Sequence, residues 1–376
     1  LSLNNKMYQY TQKIDRISDR NYYNRYFLKF EQPFFRPNSL KNDIEEAKLD
    51  LDRNELDYLA NQVDLIEDIG YDYYNLFQYS YRNVIYANNI KNLEQAFDIA
   101  KRFAAMDTLR AIESTQVQVE LANARERLLT NQSNLRLGFA RMKQRLRLEY
   151  QDSLSVPPEV VITPVAIHLE KAIEYGYTLR PRLKQLFIDR RQNEINLQDT
   201  KGNNSFSMNV EMTYGLEKQN DHYQELWDRH DNSYSISVNA YIPIWDWGQR
   251  KANIEASKIS IKRTDLYIEE SRNQIRSEIT TAVETLEEYQ RRVLSMKQNR
   301  DVSINLTQLS LDQYRESRLS VQDMLLAVQR QRETENNFLD AYLGYRRALL
   351  SLMVDTYYDF ESDVSLLDQF NANEKE

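Results

Sequence analysis

The chain has 376 residues, with 49 Lys+Arg against 57 Asp+Glu, a formal charge of −8 and a mean hydropathy of −0.72. No run approaches the ~18 to 20 apolar residues of a membrane-spanning helix, and the acidic balance opposes phosphate binding, which excludes a helical membrane protein and a nucleic-acid binder. Strands of a transmembrane β-barrel alternate and never look hydrophobic on average, so that class stays open.

Residues 1–33 read as a β-hairpin. Over 22–32, Tyr22, Tyr26, Leu28 and Phe30 alternate with Arg25, Lys29 and Glu31. Residues 1–12 are a weaker strand whose alternation changes phase near Asn4-Asn5, which predicts a bulge there. A long helix follows over 36–103, with Ile66, Ile69, Tyr73 and Leu76, then Leu93, Phe97, Ala100 and Ala104, in steps of three and four. A returning helix is expected over 107–150. A connector containing Pro157-Pro158 and Pro164 comes next, within the segment 151–204.

The pattern then restarts. A second hairpin covers 205–243, where Phe206, Met208, Val210, Met212, Tyr214 and Leu216 oppose Ser207, Asn209, Glu211 and Thr213. Its second strand carries Tyr234, Ile236, Val238, Ala240 and Ile242 on one face, beyond a polar loop at 217–232. The helix over 247–314 places Ile275, Ile279, Ala282, Leu286, Tyr289, Val293 and Met296 at coiled-coil spacing. At 1.5 Å per residue, helices of this length make rods of roughly 100 Å. A returning helix over 321–355 and a tail over 356–376 close the chain.

The two halves are copies of one plan. Pro33-Phe34-Phe35 with Ile44-Glu45-Glu46-Ala47-Lys48 matches Pro243-Ile244-Trp245 with Ile254-Glu255-Ala256-Ser257-Lys258 at an offset of 210. This defines a first repeat, 1–210, and a second, 205–376. Asp107-Thr108-Leu109-Arg110-Ala111 resembles Asp323-Met324-Leu325-Leu326-Ala327 at an offset of 216, which makes Asp107 the expected counterpart of Asp323.

A soluble sandwich can show the same alternating strands. Strand length, aromatics at the strand ends (Tyr214, Tyr234, Trp245) and the passage of each hairpin into a very long helix favour lipid-facing strands. Phe206, Met208, Val210, Met212, Ile236 and Val238 would then face lipid, and Ser207, Asn209, Ser237 and Asn239 a lumen. Four strands cannot close a barrel, and open edges do not survive in lipid, so closure calls for several chains; three would supply twelve strands.

Catalytic and cofactor motifs are missing: there is no Gly-rich phosphate loop, no G-x-S-x-G, no H-E-x-x-H and no Cys. We therefore expect no enzyme, no cofactor and no metal site. His222 and His230 lie among Asp221, Glu225, Asp228 and Asp231 in a loop that reads as a solvated surface, and Glu287-Glu288 as a solvated helix face.

Pro243-Ile244-Trp245-Asp246-Trp247-Gly248-Gln249-Arg250-Lys251 is similar to the strand-to-helix corner of the TolC family of outer-membrane efflux proteins. Tyr314 to Ala327 and Tyr345-Arg346-Arg347-Ala348-Leu349 resemble that family's helical turn and last returning helix, and 182–204 its helix that climbs back to the second hairpin. The corners are marked here by Pro33, Pro243 and Gly248. Trp247 stands where the family has a first Gly, and Arg36-Pro37-Asn38 holds none. Ser317 and Ala104-Ala105 replace the Gly of the helical turns.

The resemblance implies a mainly α fold with β. Two repeats of β-hairpin plus coiled-coil helices would trimerise into a 12-stranded outer-membrane barrel on a periplasmic α-helical barrel of a Gram-negative cell. It implies a passive channel of a tripartite efflux or type I secretion system, working with a periplasmic adaptor and an inner-membrane transporter. It further implies a pore constriction at Asp323, with Tyr314 helping to hold the entrance shut and Asp107 as a second acidic position. A helical segment should precede the first hairpin, so Leu1 is expected to be a trimmed start. The alternative is a non-transporting structural or adhesive coiled-coil surface protein. For Asp323 the ordinary role of a helix-start carboxylate, favoured by the dipole, stands beside the pore role.

Overall fold

The computed structural model describes residues 1–14, 17–35, 38–106, 110–149, 151–203, 205–242 and 244–373. Strands β1 (Ser2–Ile14) and β2 (Ile17–Phe34) form the first hairpin, β3 (Ser207–Asn220) and β4 (Asp231–Tyr241) the second. They join in one antiparallel sheet of order β1-β2-β3-β4.

The register of β1 on β2 runs unbroken from Ser2↔Lys29 to Ile14↔Ile17, so the bulge expected at Asn4-Asn5 is absent. The phase change is one of residue type on an unchanged pleat. Asn5 lies on the same face as Leu3 and Met7, where its Nδ2 donates to Asn24 Oδ1 at 3.3 Å. One amide–amide bond thus interrupts a mostly apolar face, and Asn24 Nδ2 stays buried without a partner among the described residues.

The helices are α1 (Ser39–Met106), α2 (Ala111–Arg145), α3 (Leu169–Leu179), α4 (Pro181–Asn203), α5 (Gln249–Arg315), α6 (Val321–Thr356) and α7 (Leu366–Asn373). The two long helices start two to three residues later than the sequence pattern suggested. Pro181 opens α4, a first helical position that needs no N–H. A short pairing of β5 (Tyr358–Asp359) with β6 (Val364–Ser365) precedes α7.

Two compact units emerge, and each draws on both repeats. The first holds Leu1–Asn54 and Gln185–Glu269, hence the whole sheet. Within it α4 is tied by polar side chains: Arg53 pairs with Asp189, Arg191 with Glu45 at 2.7 Å and Arg190 with Asp265 at 2.7 Å, and Asn42 donates to Asp199 at 2.7 Å. The second holds Glu55–Lys184 and Glu270–Glu376. One of its cores joins Leu93, Ala96 and Ala100 of α1, Val117, Leu121 and Ala124 of α2, Leu311 and Tyr314 of α5, and Val321, Met324 and Val328 of α6. The three- and four-residue steps are those of a coiled-coil seam, the heptad reading in three dimensions.

Candidate functional site: the faces of the sheet and the helical turn

Residues directly opposite in an antiparallel ladder share a face, so register sorts every side chain of the sheet. Tyr26, Leu28, Phe30 and Phe34 of β2 oppose Leu216, Tyr214, Met212 and Met208 of β3, which in turn oppose Asn232, Tyr234, Ile236 and Ala240 of β4; Val210 opposes Val238. This face is apolar and open, with Ile236 69% and Val238 61% exposed. Phe206 precedes β3 and its ring meets that of Phe35 at 5.1 Å. The expected lipid-facing set therefore lies together at one face, with Tyr26, Tyr214 and Tyr234 toward one end and Phe34, Phe35 and Phe206 toward the other.

The opposite face is polar. Lys29 bridges Glu211 at 2.9 Å and Glu31 at 3.1 Å, Arg25 faces Glu217 at 3.6 Å, and Tyr23 donates to Glu217 at 2.8 Å. Arg25 also donates to Thr213 at 2.9 Å, and Asn209 to Glu31 at 2.7 Å. All of these except the Lys29–Glu31 pair cross from β2 to β3, the junction no hairpin turn templates. Gly215 sits at this junction where an added Cβ would lie 2.0 Å from the Tyr26 carbonyl oxygen and 2.6 Å from Phe27 Cα. Backbone cannot yield there, so the position requires glycine.

The loop between β3 and β4 is not purely solvated. It makes a 3₁₀ turn at Tyr223–Trp227, buries Leu226 completely, and sets Tyr223 against Tyr22 and His230 against Tyr26. Tyr22 and Tyr26 belong to the apolar face, so the loop covers one end of it. Among the described residues no group of His and carboxylates could hold a metal ion.

At the second corner, Asp246 caps α5, accepting from Gly248 N at 3.0 Å and Arg250 N at 2.9 Å. These bonds hold its carboxyl below the usual range. Trp247 (φ 53) and Gly248 (φ 86) are both left-handed, backbone that favours glycine. Phe35 (φ 64) is left-handed at the first corner. Pro33 lies in β2 opposite Asn209, and Pro243 lies outside the described residues.

In the second unit, α5 ends in a Schellman turn: Ser317 N donates to the Tyr314 carbonyl and Arg318 N to the Gln313 carbonyl, each at 2.9 Å. Ser317 is left-handed (φ 60), again at a glycine position. Three residues on, Ser320 Oγ accepts from Asp323 N at 3.1 Å and donates to Asp323 Oδ2 at 2.7 Å. Ser320 is thus the N-cap of α6 and Asp323 the third helical residue it bonds, exposed beside a groove of about 1080 Å³ between α2 and α6 that Ile112, Val119 and Leu326 also line.

Tyr314 does not line an open surface, being 2% exposed. Its ring meets Phe103 edge-on at 5.5 Å, and its hydroxyl donates to Glu113 Oε2 at 3.0 Å. Burial and this bond raise its pKa above the ordinary phenol value. Arg110 covers the other side of the cluster, 4.9 Å over the Phe103 ring and 3.5 Å from Ser317 Oγ.

The pairing of Asp107 with Asp323 needs correction. α2 and α6 start at Ala111 and Val321, and α1 and α5 at Ser39 and Gln249, each pair offset by 210. At that offset the counterpart of Asp323 is Glu113, the acidic residue in the first turn of α2. Asp107 itself lies outside the described residues. The local likeness that suggested an offset of 216 rests on a few residues and cannot outweigh element boundaries. Glu113 was legible as the same third helical position, had the 210 offset been kept through the turn.

No family model and no curated protein sequence matches the chain. Solved structures do. CusC, whose structures concern folding and transmembrane channel formation, gives a TM-score of 0.80 at 15% identity over 94% of this chain and 82% of that one. The outer membrane protein VceC of Vibrio cholerae gives 0.79 at 13% identity over 94% and 86%. The open-state outer membrane channel MtrE of Neisseria gonorrhoeae gives 0.77 at 14% identity over 94% and 80%. The chain has the fold of TolC-family outer-membrane channels, and the likeness read from the corner and turn residues holds at that level.

Proposed function

From a chain with that fold, we propose a non-enzymatic outer-membrane duct: three copies close the sheet into a twelve-stranded barrel, and their helices continue it as a tunnel through the periplasm. The observation that carries this reading is the sheet itself. It has two free edges, β1 and β4, one exposed apolar face and one polar face rich in ion pairs. In lipid an open edge leaves N–H and C=O groups without partners, and pairing β4 of one copy with β1 of the next removes both edges at once. From Phe206 to Leu216 the apolar face spans about 25 Å once strand tilt is allowed for, the height of an outer-membrane apolar band.

In this reading the efflux role is that of a passive conduit served by a periplasmic adaptor and an inner-membrane transporter. The groove beside Asp323 is a docking surface for the adaptor, and Tyr314 with Glu113 braces the helical turn. Cysteine is absent, so single cysteines give a clean test. Met7→Cys in β1 and Ile236→Cys in β4, placed in one chain and treated with a short bis-maleimide, should yield covalent dimers and trimers in outer-membrane fractions. A detergent-free soluble monomer with no crosslinked ladder would favour the structural coiled-coil alternative instead.

A further inference from the structure

We propose that Lys29 is a selectivity-determining residue of the barrel lumen, shared between two opposed carboxylates and leaving one uncompensated negative charge per chain at that height. The inference rests on the duct reading. Glu31 and Glu211 are directly opposite in the β2–β3 register and lie on the polar face. Like charges so placed repel, and a single ammonium, Lys29 Nζ, stands 3.1 Å from one and 2.9 Å from the other. Asn209 donates to Glu31 at 2.7 Å but brings no charge, and the next neighbour across β3 is the uncharged Ser237. Four positions farther along β2 the charges cancel: Arg25 and its opposite Lys6 share a level with Glu217 and its opposite Asp231. The charges balance at that level, as those around Lys29 do not.

Three copies related by closure would set three such clusters at one height of the lumen, a ring that favours cations over anions. Ionic strength decides whether it is felt. The screening length is about 30 Å at 10 mM salt and about 3 Å at 1 M, so the ring governs the lumen axis only in dilute salt. A role confined to pinning the β2–β3 register predicts instead that substitutions weaken assembly and leave ion preference alone.

Reconstitution of the assembled protein in planar bilayers separates the two, with potassium and chloride as the probe ions. Lys29→Gln should raise the potassium-to-chloride permeability ratio at least about twofold at 10 mM salt, with the effect gone at 1 M. Glu211→Gln should lower the ratio, which keeps the test alive if Lys29→Gln fails to assemble. The double variant K29Q/E211Q restores the wild-type charge and should restore the wild-type ratio. An unchanged ratio in either assembled single variant, or a double variant that does not return to wild type, overturns the assignment. A wild-type assembly that passes no current would remove the duct reading itself, and the role of Lys29 with it.

Discussion

The Tyr314 hydroxyl donates to the Glu113 carboxylate at 3.0 Å, joining the last turn of α5 to the first turn of α2 across 201 residues of chain. The two helices belong to different repeats, and the donor is buried while the acceptor is charged. A hydrogen bond to a charged group is worth about 1.5 to 3 kcal/mol, so Tyr314→Phe should destabilise the helical unit by that order, read in denaturant melts. The phenol is held above its ordinary 10.0, by burial first and by Glu113 second. A raised folded-state value means the contribution is complete below pH 10.0 and is lost as pH climbs beyond it. Wild type should therefore lose stability above pH 10.0 more steeply than Tyr314→Phe; parallel profiles would remove the bond from the account.

Ser317 and Gly248 test backbone strain from opposite sides. Ser317 holds φ 60 at the C′ position of a Schellman turn, so Ser317→Gly should stabilise by about 0.5 to 1 kcal/mol. Gly248 holds φ 86 with nothing within 4 Å of an added Cβ. Gly248→Ala should cost about 1 kcal/mol through the backbone alone. Thermal melts of both variants should move in opposite directions.

Glu335 is a carboxylate inside the α6 seam, 6% exposed. It accepts from Gln331 Nε2 at 3.0 Å, and Gln331 accepts from Asn92 of α1 at 3.1 Å. Arg300 of α5 lies close enough to favour its charge and stacks 4.5 Å over Phe338, yet burial dominates and raises the Glu335 pKa. The folded state thus holds this proton more tightly than the unfolded chain. Stability from this group is greatest below the ordinary 4.5 and declines as pH rises through the raised value. Glu335→Gln should melt higher than wild type at pH 8, and the gap should close at pH 4. A gap that widens toward acid would reverse the sign.

Val210 and Asn209 are neighbours in β3 on opposite faces. Val210→Arg should impair insertion into lipid vesicles by about 2 to 4 kcal/mol if the site is near the bilayer midplane. Asn209→Arg should be tolerated, because it opens toward the carboxylates of Glu31 and Glu211. Equal losses at the two positions would dissolve the assignment of faces.

The amino-acid sequence by itself determined the elements and the face each presents. Alternation over Phe206–Leu216 and the three- and four-residue steps over Ile275–Met296 are local periodicities, and local geometry converts them directly into strand and helix. Tertiary structure decided what local pattern cannot encode. The join of β2 to β3 unites residues 174 or more apart, through bonds such as Lys29–Glu211 and Tyr23–Glu217 that no turn announces. Asn5 looked like a bulge because its partner, Asn24, is 19 residues away. Nothing local marks Glu113 as the partner of Tyr314, 201 residues away. Trp247 and Ser317 take left-handed backbone that side-chain type argues against, because the direction of the chain at corner and turn outweighs about 1 kcal/mol of local strain. Short-range periodicity is written in neighbouring residues; partners brought together by long loops are chosen only when the whole chain has folded.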